Sequence, residues 1–248
     1  MARDVSLLGA VGIGLGAIIG AGIYVVTGVA AGIAGPAFVV GLGLAGVVAT
    51  ANALSSAQLA ARIPRSGGTY EYGYELLGPG WGFTAGWMFL SGKLTAAGTV
   101  AMGLAGYVSA LVPSVDPRAV AVGAVLVFTL LNYFGIRRSN AANLAIVAAT
   151  VAALVAFAAW GAPAFDTSNL TPFWPDEPRR VLEAAAILFF AFTGYARIAT
   201  LGEEVRDPER TIPRAIAITI ASAIVLYAAV ALVAVGAVGA GALSDTAA

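Results

Sequence analysis

The sequence predicts an all-α integral membrane protein, and three observations carry that prediction. The chain of 248 residues is 60% apolar and 10% charged, with a mean hydropathy of +0.90. An ordinary soluble domain is about 45–50% apolar and about 25% charged, so this chain has too little polar surface to meet water all round, and lipid is its main solvent. The apolar residues gather into seven stretches long enough to cross a bilayer; a hydrocarbon core about 30 Å thick needs about 20 residues of helix. Lys and Arg are distributed unevenly among the connections, as expected of a multi-pass chain.

The stretches run approximately over 5–29, 36–61, 82–112, 119–136, 141–160, 181–201 and 213–236. Polar or Pro/Gly-rich connections separate them, and no soluble domain or low-complexity tail stands out. The first stretch is too long and too Gly-rich for a secretory leader, although small residues follow it at Ala30-Ala31-Gly32. It carries glycines at 12, 14, 16, 20 and 22. Gly costs about 1 kcal/mol against Ala inside a helix, so this density needs a reason. Gly12, Gly16 and Gly20 lie four apart, a small-xxx-small face that lets helices approach closely. Alternatively, Gly20-Ala21-Gly22 breaks the helix and turns freed amides toward a ligand. Both readings stay open on spacing alone. A dinucleotide fingerprint is dismissed, because Gly12-x-Gly14-x-Gly16 has no strand before it and no βαβ unit around it. The sixth stretch is interrupted at Phe192-Thr193-Gly194-Tyr195. It lies five stretches after the first, so the two run in opposite senses across the membrane. Paired interruptions in corresponding positions are the sequence pointer to a transporter binding site.

Charge sets the topology. With the N-terminus cytoplasmic, Arg3, Arg62, Arg65, Arg137, Arg138, Arg206, Arg210 and Arg214 lie inside. Arg118, Arg179 and Arg180 lie outside, and Lys93 and Arg197 lie within spans. The bias favours an inner N-terminus. The chain has no Cys and no His. That excludes disulfides, thiolate or histidine metal sites, iron–sulfur clusters, His-ligated haem and His- or Cys-based catalytic dyads. With net charge +0, no basic field exists to hold nucleic acid. Neither a cofactor nor a bound metal is expected, and the absence of paired carboxylates argues against an enzyme.

Four motifs carry a resemblance. Gly20-Ala21-Gly22-Ile23-Tyr24 is similar to a first-helix Gly-Ser-Gly-Ile-Phe motif. Pro64-Arg65-Ser66-Gly67-Gly68-Thr69-Tyr70 is similar to a first cytoplasmic loop, and Asn132-Tyr133-Phe134-Gly135-Ile136 to the end of a fourth helix. Phe189-Phe190-Ala191-Phe192-Thr193-Gly194-Tyr195, with Glu203-Glu204-Val205-Arg206-Asp207-Pro208 and Ile212-Pro213-Arg214-Ala215-Ile216, is similar to a sixth helix and the loop after it. In this order they resemble the amino acid–polyamine–organocation transporters. The resemblance implies a leucine-transporter-like 5+5 inverted-repeat fold, of which this chain holds helices one to seven. Residues 1–161 would form the first five-helix repeat, and residues 181–248 the first two helices of the second. The chain stops at Leu243-Ser244-Asp245-Thr246-Ala247-Ala248, in what resembles the loop before an eighth helix. A piece of a longer permease is expected, or a chain that a partner chain completes.

The resemblance also implies a site. A zwitterionic amino acid would place its carboxylate on the amides near Gly20, Ala21 and Gly22, where half-helix poles favour anions. Its ammonium would meet the carbonyls of Ile18, Phe190 and Thr193, with Ile23 and Gly194 in the same motifs. Ala21 stands where relatives often carry Ser, so one hydroxyl donor is missing. Phe190 matches an aromatic gate in relatives; plain packing is the alternative, since Phe189, Phe190 and Phe192 crowd one turn. Arg197 either pairs with Glu203 or Glu204 in an inner gate or snorkels to the interface. Lys93 lies about 15 Å along the third stretch at about 1.5 Å per residue, near the midplane, where a charge must face protein or water. It is the candidate for proton coupling, against a permanently anchored amine. Some relatives place a coupling Lys in the fifth helix, but this chain reads Ala149-Thr150-Val151 there. Glu71, Glu75 and the charges at 206–214 read as solvated, and the Asn169-Leu170-Thr171 glycosylation pattern is too short to weigh.

The expected function is secondary transport of amino acids or related organic cations through the cell membrane, by alternating access, coupled to protons or to exchange. A non-transporting fragment or half-subunit is the alternative. A seven-helix receptor or light-driven pump fits worse, because the seventh stretch holds no Lys and the charge bias puts the N-terminus inside.

Overall fold

The computed structural model describes residues 5–20, 22–134 and 139–246. Of the residues singled out above, Arg3, Ala21, Gly135, Ile136, Arg137, Arg138, Ala247 and Ala248 lie outside them. The described elements are helical. Among the described residues five stretches are long and apolar enough to cross a membrane: Leu7–Arg62, Pro79–Leu111, Asn143–Ala164, Arg179–Ala199 and Pro208–Asp245, with a shorter apolar helix at Pro117–Leu130. The first of these is 56 residues long and takes in the second predicted span and all but the first two residues of the first. The chain forms two compact units, residues 1–68 with 143–248, and residues 69–142.

In the larger unit, α1 (Leu7–Ile18) opens at Ser6, whose hydroxyl accepts the Gly9 N–H at 3.3 Å. It closes at Ile19, which is extended (φ −77°, ψ 113°). After Gly20, a π turn (Gly22–Val26) leads into α2 (Thr27–Ala34). Gly35 (φ 58°, ψ −150°) ends α2 in a conformation that side chains disfavour. A 3₁₀ turn at Gly35–Ala37 then starts α3 (Phe38–Arg62). α7 (Ser139–Gly161) contributes its residues from Asn143 onward. α8 (Arg179–Leu188) continues as a 3₁₀ stretch, Phe189–Tyr195, and a last turn, α9 (Ala196–Ala199). α10 covers Pro208–Thr246. It starts before the predicted residue 213 because Pro208, not Pro213, takes the first helical position, where a missing N–H costs nothing.

Small residues let these helices close on each other. A Cβ at Gly12 would meet Leu144 at 3.0 Å, and one at Gly16 would meet Asn143 and Val147 at 2.9 Å. The predicted glycine face therefore packs on α7. A Cβ at Gly32 would meet Ser244, and one at Gly14 Thr219, so the first span runs parallel to α10. The core includes Phe38, Leu188, Phe192, Ile198 and Tyr227, each no more than 1% exposed.

The two ends of this unit are tied differently. At the Val5 end, an isolated parallel bridge joins Val5 to Val205: the Val5 N–H donates to Glu204 O and the Arg206 N–H to Val5 O, both at 3.0 Å. At the Gly35 end, the connection after α7 docks on α10. The Asp166 N–H (2.9 Å) and Asn169 Nδ2 (2.8 Å) both donate to Gly236 O. Three residues on, Gly239 (φ 79°, ψ 159°) kinks the helix.

The smaller unit holds α4 (Thr69–Leu77), α5 (Pro79–Leu111) and α6 (Pro117–Phe134). α4 lies flat on the start of α5 because neither helix has bulk at the contact: a Cβ at Gly73 would meet Gly82 at 3.1 Å, and Gly82 abuts the Tyr74 ring. Tyr72 is buried there, and burial pushes its hydroxyl up to about 12. Ala101 and Ala105 of α5 meet Ala121 of α6.

Candidate functional site

The first span is broken. Ile19 turns extended, so its N–H closes the last α1 bond to Leu15 O at 2.8 Å and the ladder stops. The Gly16 carbonyl thereby loses its helical donor, because the Gly20 N–H makes no bond to it. On the other side, Gly20 O accepts the N–H groups of Ile23 (3.1 Å) and Tyr24 (3.4 Å) as the π turn begins. The N–H group of Gly20 finds no acceptor among the described residues. A Cβ at Gly20 would meet nothing within 4 Å, whereas one at Gly22 would collide with Ala191. Gly20 thus borders open space and takes no part in the packing face, although it shares that face's spacing.

The sixth span is overwound and not broken, which corrects the expectation of two unwound segments. Residues 189–195 keep right-handed helical backbone at both caps and form a 3₁₀ run of seven residues. A 3₁₀ run of this length is uncommon and marks strain or a hinge. It persists because its polar groups stay partnered: Thr193 Oγ1 donates to Phe190 O at 2.9 Å, and the Ala196 N–H reaches Thr193 O.

The two interruptions lie against each other. A Cβ at Gly194 would fall on Ala17 O and Ile18 N, while Gly22 abuts Ala191. The order of these contacts, 17 with 194 and 22 with 191, shows that the spans run antiparallel, as the sequence predicted. Gly194 is needed at its position because its backbone touches backbone. Ile18, Gly22, Ile23 and Gly194 are buried, and Gly20, Phe190 and Thr193 are half-buried. Ala21 lies outside the described residues. Phe192, 1% exposed, is the packing residue of the aromatic turn, and Phe190 is left partly open.

Sequence reasoning missed Tyr227. Its hydroxyl, carried by α10, donates to Ile18 O at 2.8 Å and lies 3.5 Å from Ala191 O. Its ring packs on Phe192 with centroids 5.4 Å apart. One buried side chain thus links the broken first span to the overwound sixth. The available signal was a phenol in mid-span of the seventh stretch, where an unpartnered O–H is costly.

Arg197 is exposed and donates to Thr200 Oγ1 at 2.9 Å; Glu203 accepts the Ser66 N–H at 3.4 Å. Lys93 sits near the middle of α5, with Nζ 5.6 Å from the Phe89 ring centroid. It belongs to the smaller unit, and the remaining described site residues to the larger. Among the described residues no group of His, Cys, Asp and Glu could hold a metal ion.

The chain matches the family model described as amino acid permease over residues 9–248. It is 46% identical over 239 residues to an uncharacterized transporter of Mycobacterium tuberculosis, covering 96% of this chain and 53% of that protein. It is 32% identical to the methylthioribose transporter of Bacillus subtilis (95% of this chain, 55% of that one). The branched-chain amino acid permease of the same organism is 31% identical (95% and 54%). The chain spans about half the length of these curated relatives. With the broken first span seated on the overwound sixth and the family match running through both, the chain belongs to the amino acid permease family.

Proposed function

We propose that this chain carries the substrate-binding half of a secondary transporter for amino acids, working by alternating access with its N-terminus cytoplasmic in the cell membrane. The observation that carries the reading is the ended helix ladder at Gly20, whose N–H has no acceptor among the described residues, opposite the antiparallel 3₁₀ segment of the sixth span. Such an amide complements a carboxylate. The carbonyls of Ala17 and Ile18 lie on the α1 side of the same gap and complement an ammonium. Ile18 and Thr193 keep one carbonyl lone pair each beside the bonds they already accept, whereas Phe190 O takes both the Thr193 hydroxyl and the i+3 N–H of the 3₁₀ run. Phe190 serves as the gate above this gap, and Arg197 stands at its α9 end. In this reading residues 1–161 are one inverted repeat and 181–248 begin the next, with Lys93 the coupling residue for protons or exchange.

Uptake of a labelled amino acid panel into vesicles, with methylthioribose included, tests the reading. Saturable uptake competed by leucine-like zwitterions supports it. Uptake of methylthioribose alone would reassign the substrate to a neutral solute. Binding without uptake would favour a chain that transports only when a partner chain supplies further helices.

A further inference from the structure

Three oxygen atoms converge beside the paired interruptions. Ile18 O belongs to the last turn of the ended first span, and Ala191 O to the 3₁₀ run of the sixth. Both face the Tyr227 hydroxyl of α10, at 2.8 Å and 3.5 Å. All three residues are buried. A phenol has one proton to give, so the two carbonyls compete for it. Distance decides the outcome, because good O–H···O bonds run to about 3.0 Å. The proton therefore rests on Ile18 O, and Ala191 O stands at the edge of reach. The ring that carries the hydroxyl is itself fixed. It packs on the buried Phe192 ring, with centroids 5.4 Å apart, so α10 presents the O–H to the first span from one place.

The Ile18 carbonyl needs such a holder. The helix ladder stops one residue later, at Ile19. Ile18 is instead pinned from both ends: its nitrogen lies against Gly194, where no β-carbon fits, and its oxygen lies on Tyr227. A carbonyl oxygen carries two lone pairs near the plane of the group. With one of them bound to Tyr227, the direction of the other is set as well. A charged N–H donor gains most from that second lone pair when the plane is held, since hydrogen bonds weaken steeply with misalignment.

We propose that Tyr227 is a positioning residue for the ammonium group of the substrate: by holding Ile18 O in place, it makes the site select amines over their deaminated analogues. This rests on the amino acid reading above, and it adds a side chain of the seventh predicted span to the determinants of specificity. Tyr227 acts through the carbonyl, so its removal leaves the ammonium's acceptor present but unheld.

The test uses the whole chain in lipid vesicles and competition against labelled leucine. Three ligands are compared: leucine, 3-methylbutylamine, which keeps the ammonium, and 4-methylpentanoate, which keeps the carboxylate alone. Tyr227→Phe retains the ring on Phe192 and removes only the O–H. It should weaken leucine and 3-methylbutylamine about tenfold, the scale of a hydrogen bond to a charged group, and 4-methylpentanoate less than about twofold. Loss of packing alone would weaken all three ligands alike. Thr219→Val removes another buried α10 hydroxyl, one that faces α1 without a partner among the described residues, and should leave the ratio of amine to carboxylate binding unchanged. Equal shifts of the three ligands in Tyr227→Phe, no shift in any of them, or the same change of ratio in Thr219→Val would overturn the proposal and leave the amino acid reading standing. Failure of the unmodified chain to bind leucine would sink that reading and this inference with it.

Discussion

Gly194 and Gly22 hold the two interrupted spans together because neither position has room for a β-carbon. At Gly194 the obstacle is the backbone of Ala17 and Ile18, which no rotamer change can relieve. Gly194→Ala must therefore push the first and sixth spans apart, and overpacking of this kind costs about 1–3 kcal/mol. A lower melting midpoint in detergent and loss of amino acid binding are expected; an unchanged midpoint would mean that the spans separate freely. Tyr227→Phe removes the 2.8 Å bond to Ile18 O and should cost about 0.5–1.5 kcal/mol by the same measurement. Thr219 gives the opposite sign. Its hydroxyl is fully buried against α1 and has no partner among the described residues. An orphaned buried polar group costs about 1–3 kcal/mol, so Thr219→Val should be neutral or stabilising. A marked fall in midpoint would show that the hydroxyl does have a partner.

At the scale of elements, hydrogen-bond satisfaction explains why one predicted break formed and the other did not. Around Gly20 the ladder ends at Ile19, and the Tyr227 hydroxyl of α10 takes up the Ile18 carbonyl in place of a backbone donor. Around Phe192-Thr193-Gly194, the Thr193 hydroxyl and i+3 bonding keep the backbone partnered, and the helix tightens instead. The sequence displays a small residue beside Gly in both places, and local pattern alone does not separate the two outcomes. The connection after α7 adds a pH-dependent contact outside the spans. The Ser168 backbone N–H, 2.8 Å away, holds the Asp166 carboxyl below the ordinary carboxylate range, with help from the Ser168 hydroxyl. A carboxyl lowered in this way contributes stability above its unfolded pKa and loses it as pH falls through the folded value. The docking of residues 166–169 on Gly236 should therefore loosen only in acid below that ordinary range. Pepsin cleavage in this connection should rise there and Asp166→Asn should abolish the pH dependence; cleavage insensitive to pH would count against it. The effect is small, because the carboxyl is solvent-exposed.

For the whole molecule, the coupling assignment depends on a charge in a span. Lys93 sits mid-helix in α5 with an aromatic ring beside its ammonium, and a charge at that depth is costly unless it has a use. Lys93→Met should flatten the pH dependence of uptake while leaving saturable amino acid binding in place. Uptake with an unaltered pH profile in the variant would exclude Lys93 from coupling.

Composition and the seven apolar stretches already required a lipid-embedded helical chain, because backbone in hydrocarbon has no partner but itself. Most helix positions, the opposed direction of the first and sixth spans, and a close-packing glycine face at Gly12 and Gly16 were legible for the same reason: they follow from length, parity and side-chain volume; that α7 covers this face was not. Contacts between residues far apart in sequence were not. The hydroxyl of Tyr227 reaches a carbonyl 209 positions away, and its partner exists only once Ile19 has ended α1 and α10 has packed alongside. Likewise Gly20 carries the same spacing as Gly12 and Gly16, and only tertiary packing left it facing open space while they were covered. Local chemistry chose the elements; the pairing of their unsatisfied ends waited on which helices came to lie side by side.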